Sequence, residues 1–230
     1  MVYCFICGEK TTMEYPGICR YCVENLKEMN KEYVLCDLCG TFYHVHFSSC
    51  PQCFCNKQPR SYKKAISCFP YIIEAKKLVL GLKFNNARYL APAMAKLITE
   101  HRDIAENGKY SCLIPVPLSK LHLREREFNQ SEVLAQEISY LTDLPLYPKV
   151  LVKIKETKAQ MDLDKNQRKK NLLSAFALTS GKEILGKNVI LIDDIITTGS
   201  TVNQCAKVLK RGGAASVKVI TFCGWADKKE

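Results

Sequence analysis

Short apolar runs alternate with amphipathic stretches along most of this chain, and that rhythm predicts an α/β sheet. Val189-Ile190-Leu191-Ile192 is a run of β-favouring apolar residues, the pattern of a strand buried on both faces in a parallel sheet. Asp193-Asp194 stand at its expected carboxyl end, followed by Ile195-Ile196-Thr197-Thr198-Gly199-Ser200-Thr201. A helix should come next, because Val202, Cys205, Ala206 and Leu209 share one helical face and Gly212-Gly213 stops the run. Further strands are predicted at Ser111 to Leu118, Lys149 to Ile154, Ser174 to Thr179 and Val217 to Phe222. Helices are predicted from about Ile72 to Leu82, from Ala87 to Thr99, and after Gln130, where Leu134, Ile138 and Leu141 line one face. Strands alternating with helices give an open parallel sheet whose ligand sits at the carboxyl ends of the strands.

The stretch from Asp193 to Thr201 carries the chemistry. A loop between strand and helix aims backbone N–H groups and the hydroxyls of Thr197, Thr198, Ser200 and Thr201 at an anion on the helix N-terminus, where the dipole also favours negative charge. Gly199 lets the backbone approach that anion. Asp193 and Asp194 would repel a phosphate and suit sugar hydroxyls or a divalent cation beside it. A phosphate and a diol held together describe a ribose 5-phosphate.

Cysteine adds a second chemistry. Nine of the thirteen cysteines lie between Cys4 and Cys55. Cys4-x2-Cys7 with Cys19-x2-Cys22, and Cys36-x2-Cys39 with Cys50-x2-Cys53, form two repeats of paired CxxC turns. Two such turns close a tetrahedral all-thiolate zinc site with no open position for water, so the sites are structural. Consecutive pairing is favoured over interleaving Cys4/Cys7 with Cys36/Cys39. The spacing leaves open an iron–sulfur centre, and His44, His46 or Cys55 in place of one thiolate of the second site.

No apolar run reaches the length of a membrane span and the first residues are not a signal peptide, which predicts a cytoplasmic protein with reduced thiols. Residues 1–56 are expected to form a double zinc module, and residues 57–230 a second domain in which 57–100 is a connecting or hood region. The formal charge is 34 − 23 = +11, which suits a phosphorylated substrate or a polyanion. Between Ser61 and Tyr89, lysines 63, 64, 76, 77 and 83 mix with Tyr62, Phe69, Tyr71 and Phe84. That composition is compatible with single-stranded nucleic acid, or with an amphipathic helix whose lysines form its wet face.

The Asp193 to Thr201 stretch resembles the phosphoribosyl pyrophosphate (PRPP) signature of type I phosphoribosyltransferases. Pro115-Val116-Pro117-Leu118, Arg126-x-Phe128-Asn129-Gln130-Ser131 and Thr157-x-x-Gln160, Arg168-x-x-Asn171, Ala175-Phe176 resemble the ComF family of competence-associated proteins. The resemblance implies a type I phosphoribosyltransferase-like open parallel sheet behind a cysteine-rich zinc module. It implies that Asp193 and Asp194 hold the ribose hydroxyls, that residues Thr197 to Thr201 cradle the 5-phosphate, and that magnesium enters with PRPP. Arg124, Arg126 and Arg168 would face pyrophosphate, and residues 153–170 would form a loop closing over the site. It further implies a role in uptake of transforming DNA. Single-stranded DNA and a ComFA-like ATP-dependent DNA translocase would be the partners, with recruitment to the membrane-associated uptake machinery and no membrane insertion. A metabolic phosphoribosyltransferase without a DNA role is the alternative. Glu127 stands where the family has glycine after the arginine, so the turn there should be relaxed.

Overall fold

The computed structural model describes residues 3–11, 13–55, 59–101, 104–155 and 175–227. Its strands are β1 (Tyr33–Leu35), β2 (Phe42–His44), β3 (Lys64–Pro70), β4 (Cys112–Pro115), β5 (Leu151–Lys153), β6 (Phe176–Leu178), β7 (Asn188–Ile196) and β8 (Ser216–Gly224). The helices are α1 (Arg20–Met29), α2 (Pro51–Cys55), α3 (Ile73–Phe84), α4 (Ala91–His101), α5 (Lys120–Arg126), α6 (Gln130–Thr142) and α7 (Ser200–Arg211). Strands β3, β8, β7 and β4 form a parallel sheet in that order, and β1–β2 and β5–β6 are antiparallel pairs.

Alternation along β7 builds two cores. Ile190 and Ile192 pack with α3, α4 and α6 on one face of the sheet. Val189 and Leu191 pack with α7 and the β5–β6 pair on the other. The layers are those expected for a sheet with helices on both faces, with two departures. The strand β7 does not end at Ile192 but continues through both aspartates to Ile196, paired to β8 throughout. The segment read as basic and aromatic also contains β3, an edge strand whose buried Ser67 bonds Thr221 of β8 through paired hydroxyls 2.7 Å apart. Its lysines therefore divide: Lys64 pairs with Glu106, while Lys76 and Lys77 are exposed on α3.

A charged cluster closes the amino end of the sheet. Lys218 of β8 is fully buried, 2.8 Å from Glu106 and from the Ile104 carbonyl. Burial alone would push the Glu106 carboxyl up, but the Lys218 and Lys64 ammoniums beside it hold it down to about 2.

Both cysteine segments are welded to this framework. Cys4, Cys19, Cys22, Val23 and Leu26 share the core of α3 and α4. The turn at Cys36–Gly40 lies along the edge strand β3 and against the carboxyl end of β8. The Ala65 N–H donates to the Asp37 carbonyl, and the Ser67 hydroxyl donates to the Gly40 carbonyl. The Phe42 N–H donates to the Trp225 carbonyl at 2.8 Å. Gly40 has φ +75°, and a Cβ on Gly224 would fall on the Gly40 carbonyl oxygen. Backbone meets backbone there, so neither side can yield. Gly224→Ala should lower stability by at least about 1–3 kcal/mol, the usual cost of overpacking, read as a lower denaturant midpoint with unchanged slope.

Candidate functional site

The site assembles where β7 ends. Asp193 and Asp194 are consecutive residues of one strand, so their side chains leave on opposite faces. Asp193 accepts a hydrogen bond from the Ser131 hydroxyl at 2.8 Å and one from the Asp194 N–H at 2.9 Å. Asp194, on the other side, lies 2.7 Å from the Lys83 ammonium at the end of α3, and both side chains are largely buried. Burial, and then the charge of Asp194, push the Asp193 carboxyl up to about 7, against the pull of Lys83 and Ser131. Burial works against the Lys83 charge, but the two aspartates outweigh it and raise its pKa.

Beyond Ile196 the chain turns into α7. Gly199 occupies the left-handed region at φ +73°, and a Cβ there would sit 3.2 Å from the Tyr62 hydroxyl. The N-cap residue Gly199 has no side chain to cap the helix; the Ser200 N–H donates to the Thr198 hydroxyl at 3.4 Å, and the Thr198 and Ser200 hydroxyls lie 2.9 Å apart beside the first turn. Asp193 and residues Ile195 to Val202 line a polar concavity of about 90 Å³. Among the described residues no lysine or arginine lines it, so an anion held there would meet backbone N–H groups, hydroxyls and the helix dipole. From α2, the Gln52 side-chain N–H donates to the Thr197 carbonyl at 3.1 Å.

The thiols converge in the consecutive pairing. Cys4, Cys7, Cys19 and Cys22 bring their sulfurs within 4.8 Å of one another, as do Cys36, Cys39, Cys50 and Cys53. Sulfur–sulfur distances of 3.6 Å for Cys7–Cys19, 3.5 Å for Cys36–Cys53 and 3.6 Å for Cys39–Cys50 suit a tetrahedral ion with metal–sulfur bonds of about 2.3 Å. That geometry excludes the interleaved arrangement. His44 and His46 lie ring against ring at 4.5 Å and join neither group, and the side chain of Cys55 lies outside the described residues. A hydrogen bond from Cys39 and nearby backbone N–H groups hold the Cys36 thiol down to about 5, and Arg60 donates to Cys53 at 3.4 Å. Thiolates are the form a metal binds.

Residues 128–230 match the family described as Phosphoribosyl transferase domain. The chain is 30% identical over 225 residues to DNA utilization protein YhgH of Salmonella typhi, covering 96% of each chain. It is 29% identical over 221 residues to Competence protein F of Haemophilus influenzae, covering 94% of each. It is 28% identical over 211 residues to Competence protein ComFC of Bacillus subtilis, covering 89% of this chain and 83% of that one. The chain belongs to the ComF family. Its domain has the type I phosphoribosyltransferase fold, a parallel sheet flanked by helices, and its two cysteine clusters can hold metal ions.

The ComF motif around Phe128 builds the site more than it lines it. Phe128 is buried under the Arg88 guanidinium, 4.2 Å from its ring centre. The Asn129 side chain caps α6 through the Ser131 N–H and donates to the Val116 carbonyl, tying α6 to the turn after β4. That places Ser131 against Asp193. Glu127 corrects one expectation: the turn is not relaxed. It keeps the left-handed conformation at φ 64°, where glycine would be unstrained.

Arg126 lies over the Phe84 ring at 5.0 Å and, with Lys83, Phe84 and Asn86, lines a cavity of about 250 Å³ beside the acid pair. Arg124 is exposed on α5. Arg168, and the loop expected over residues 153–170 beyond residue 155, lie outside the described residues. Lys83 is the functional residue that the sequence hid. Its place on an amphipathic helix reads as wet surface, yet it is the cation of the acid pair. Replacing it with Met would strand a buried carboxylate, so Lys83→Met should cost about 3–5 kcal/mol in unfolding measurements at neutral pH.

Proposed function

We propose that this chain binds PRPP with Mg2+ on Asp193, Asp194 and the loop Thr197 to Thr201, and works in the uptake of transforming DNA. The observation that carries the reading is one continuous surface: two carboxylates and, directly beyond them, a helix N-terminus in a hydroxyl-lined hollow. The hollow suits the 5-phosphate, and the carboxylates suit the ribose hydroxyls. Arg126 stands on the side of β4, where it can neutralise pyrophosphate, and Arg168 is assigned to the same task. Bound with PRPP, Mg2+ would supply further neutralisation of the leaving group.

The DNA role rests on relatives named for competence and DNA utilization. Single-stranded DNA and a ComFA-like ATP-dependent translocase are the proposed partners, reached in the cytoplasm at the membrane-associated uptake machinery. Among the described residues no helix is long and apolar enough to cross a membrane. Lys76, Lys77, Phe84 and Tyr89 are exposed and available to a strand, whereas Lys83 is not. The intact loop and acid pair favour one other reading, a metabolic phosphoribosyltransferase without DNA. Pyrophosphate release measured with and without single-stranded DNA separates the two.

Calorimetry tests the pocket. Asp193→Asn and Asp194→Asn should each weaken Mg2+-PRPP binding roughly 10- to 100-fold, since hydrogen bonds to charged groups contribute about 1.5–3 kcal/mol. Because Asp193 holds a proton up to about pH 7, PRPP should bind more tightly as pH rises from 6 to 8. Asp193→Asn should flatten that dependence. Equal affinity in mutant and wild type would sink the assignment.

The metals are proposed to be two structural zinc ions per chain, on the Cys4 and Cys36 clusters. Elemental analysis should return two zinc per chain, falling to one in Cys50→Ser with Cys53→Ser. Iron in place of zinc, or a content near one in the wild type, would contradict it.

A further inference from the structure

We infer that Lys83 makes this site select PRPP over ribose 5-phosphate, because its ammonium bars Asp194 until a diphosphate draws it away. This rests on the PRPP reading above. Lys83 precedes the residues 128–230 that match the phosphoribosyl transferase domain, so it belongs to this chain's own helix α3 and not to that match.

In the structure the pair is closed. The Lys83 ammonium lies 2.7 Å from Asp194 Oδ2, with 19% of the lysine side chain and 7% of the aspartate side chain exposed. A ribose hydroxyl that donates to this oxygen must take the ammonium's place. A neutral hydroxyl satisfies the carboxylate in part and leaves the ammonium without its counter-charge in a largely buried position. Ribose 5-phosphate alone therefore meets a barred acid.

A second place for the ammonium lies next to the first. Lys83 and Arg126 both face the cavity of about 250 Å³ beside the acid pair. Burial and the Arg126 guanidinium work against the Lys83 charge, and the two aspartates outweigh them. Two cations facing one cavity repel each other, and a multiply charged anion between them relieves both. The diphosphate of PRPP is such an anion, and ribose 5-phosphate carries none on that side. Glu125 and Glu127 also line the cavity, but both are exposed to water, and Glu125 is turned to His122 at 2.8 Å.

The move needs no change of backbone. Lysine carries its charge on a flexible stem, and this one leaves the last turn of α3. The helix end is pinned from both directions. The Phe5 ring of the first cysteine turn packs on Gly81, where a Cβ would come within 2.6 Å of it. The Asn85 and Ala87 N–H groups donate to the Gly81 carbonyl at 3.1 and 3.3 Å. Lys83 can swing to a diphosphate while its Cα stays, and Asp194 is then open to the ribose hydroxyl. The first cysteine turn thus steadies the pyrophosphate side, as Gln52 from the second steadies the phosphate loop.

Calorimetry with three ligands tests this on the zinc-loaded protein: Mg2+-PRPP, Mg2+-pyrophosphate and ribose 5-phosphate. The variant is Lys83→Gln, whose amide can still donate to Asp194. It should weaken PRPP and pyrophosphate about tenfold each, the scale of one lost charge-assisted hydrogen bond. It should bind ribose 5-phosphate as tightly as the wild type or more tightly, which a purely structural role for Lys83 does not allow. Should that variant unfold, Asp194→Asn with and without Lys83→Gln repeats the comparison with no carboxylate stranded. A tenfold loss confined to the two diphosphate ligands is again expected. Equal losses for all three ligands, or unchanged affinity for PRPP and pyrophosphate, would overturn the inference and leave the PRPP reading standing. If the wild type does not bind PRPP, both fall.

Discussion

The approach of two backbones, at Gly40 in the second cysteine turn and Gly224 at the end of β8, is the constraint on which the rest depends. It leaves no room for a side chain at Gly224, and it is reinforced by the Ala65 to Asp37, Ser67 to Gly40 and Phe42 to Trp225 hydrogen bonds. The carboxyl ends of β7 and β8 and the edge of β3 are therefore held against the second cysteine turn. The acid pair and the loop after it sit at the end of β7, while Arg126 comes from α5 on the side of β4. A structural zinc site is worth ~10–16 kcal/mol in apparent binding energy, so a metal on Cys36, Cys39, Cys50 and Cys53 would steady the phosphate loop as well as its own module. The Gln52 bond to Thr197 is the direct link between the two.

Within that frame the acid pair is an electrostatic compromise. Two adjacent carboxylates in a largely buried strand cannot both stay charged without help. Lys83 supplies it for Asp194, while Asp193 is left with a raised pKa and the Ser131 hydroxyl. A ligand with hydroxyl donors, or a cation, relieves the same strain that the apo protein manages internally. Binding strength and proton release are coupled for that reason.

Much of this was legible in sequence because the signals are local. The run from Val189 to Thr201 states strand, acid pair, loop and helix within a few residues, and the CxxC turns state their own ligand geometry. β3 was not legible: Lys64-Ala65-Ile66-Ser67-Cys68-Phe69-Pro70 has one β-branched residue, and its Ser67 and Lys64 are satisfied by partners far along the chain. Nor was the length of β7, since charged residues inside a strand look like its end. Lys83 was hidden for the opposite reason: a lysine on an amphipathic helix looks solvated, and only the meeting of α3 with the end of β7 makes it buried. Gln52 and Trp225 reach the loop through tertiary contacts that no spacing encodes.

Amide hydrogen exchange with and without Mg2+-PRPP addresses the central claim most directly, that one surface made of β7, its loop and the second cysteine module receives the ligand. Slowed exchange is expected at the amides of Thr198 to Thr201, with the sheet beneath unchanged. Stripping the metal from the Cys36 cluster should abolish that protection and speed exchange at Phe42, Ala65 and Trp225. Protection by PRPP that appears elsewhere, or that persists undiminished after the metal is removed, would contradict the account.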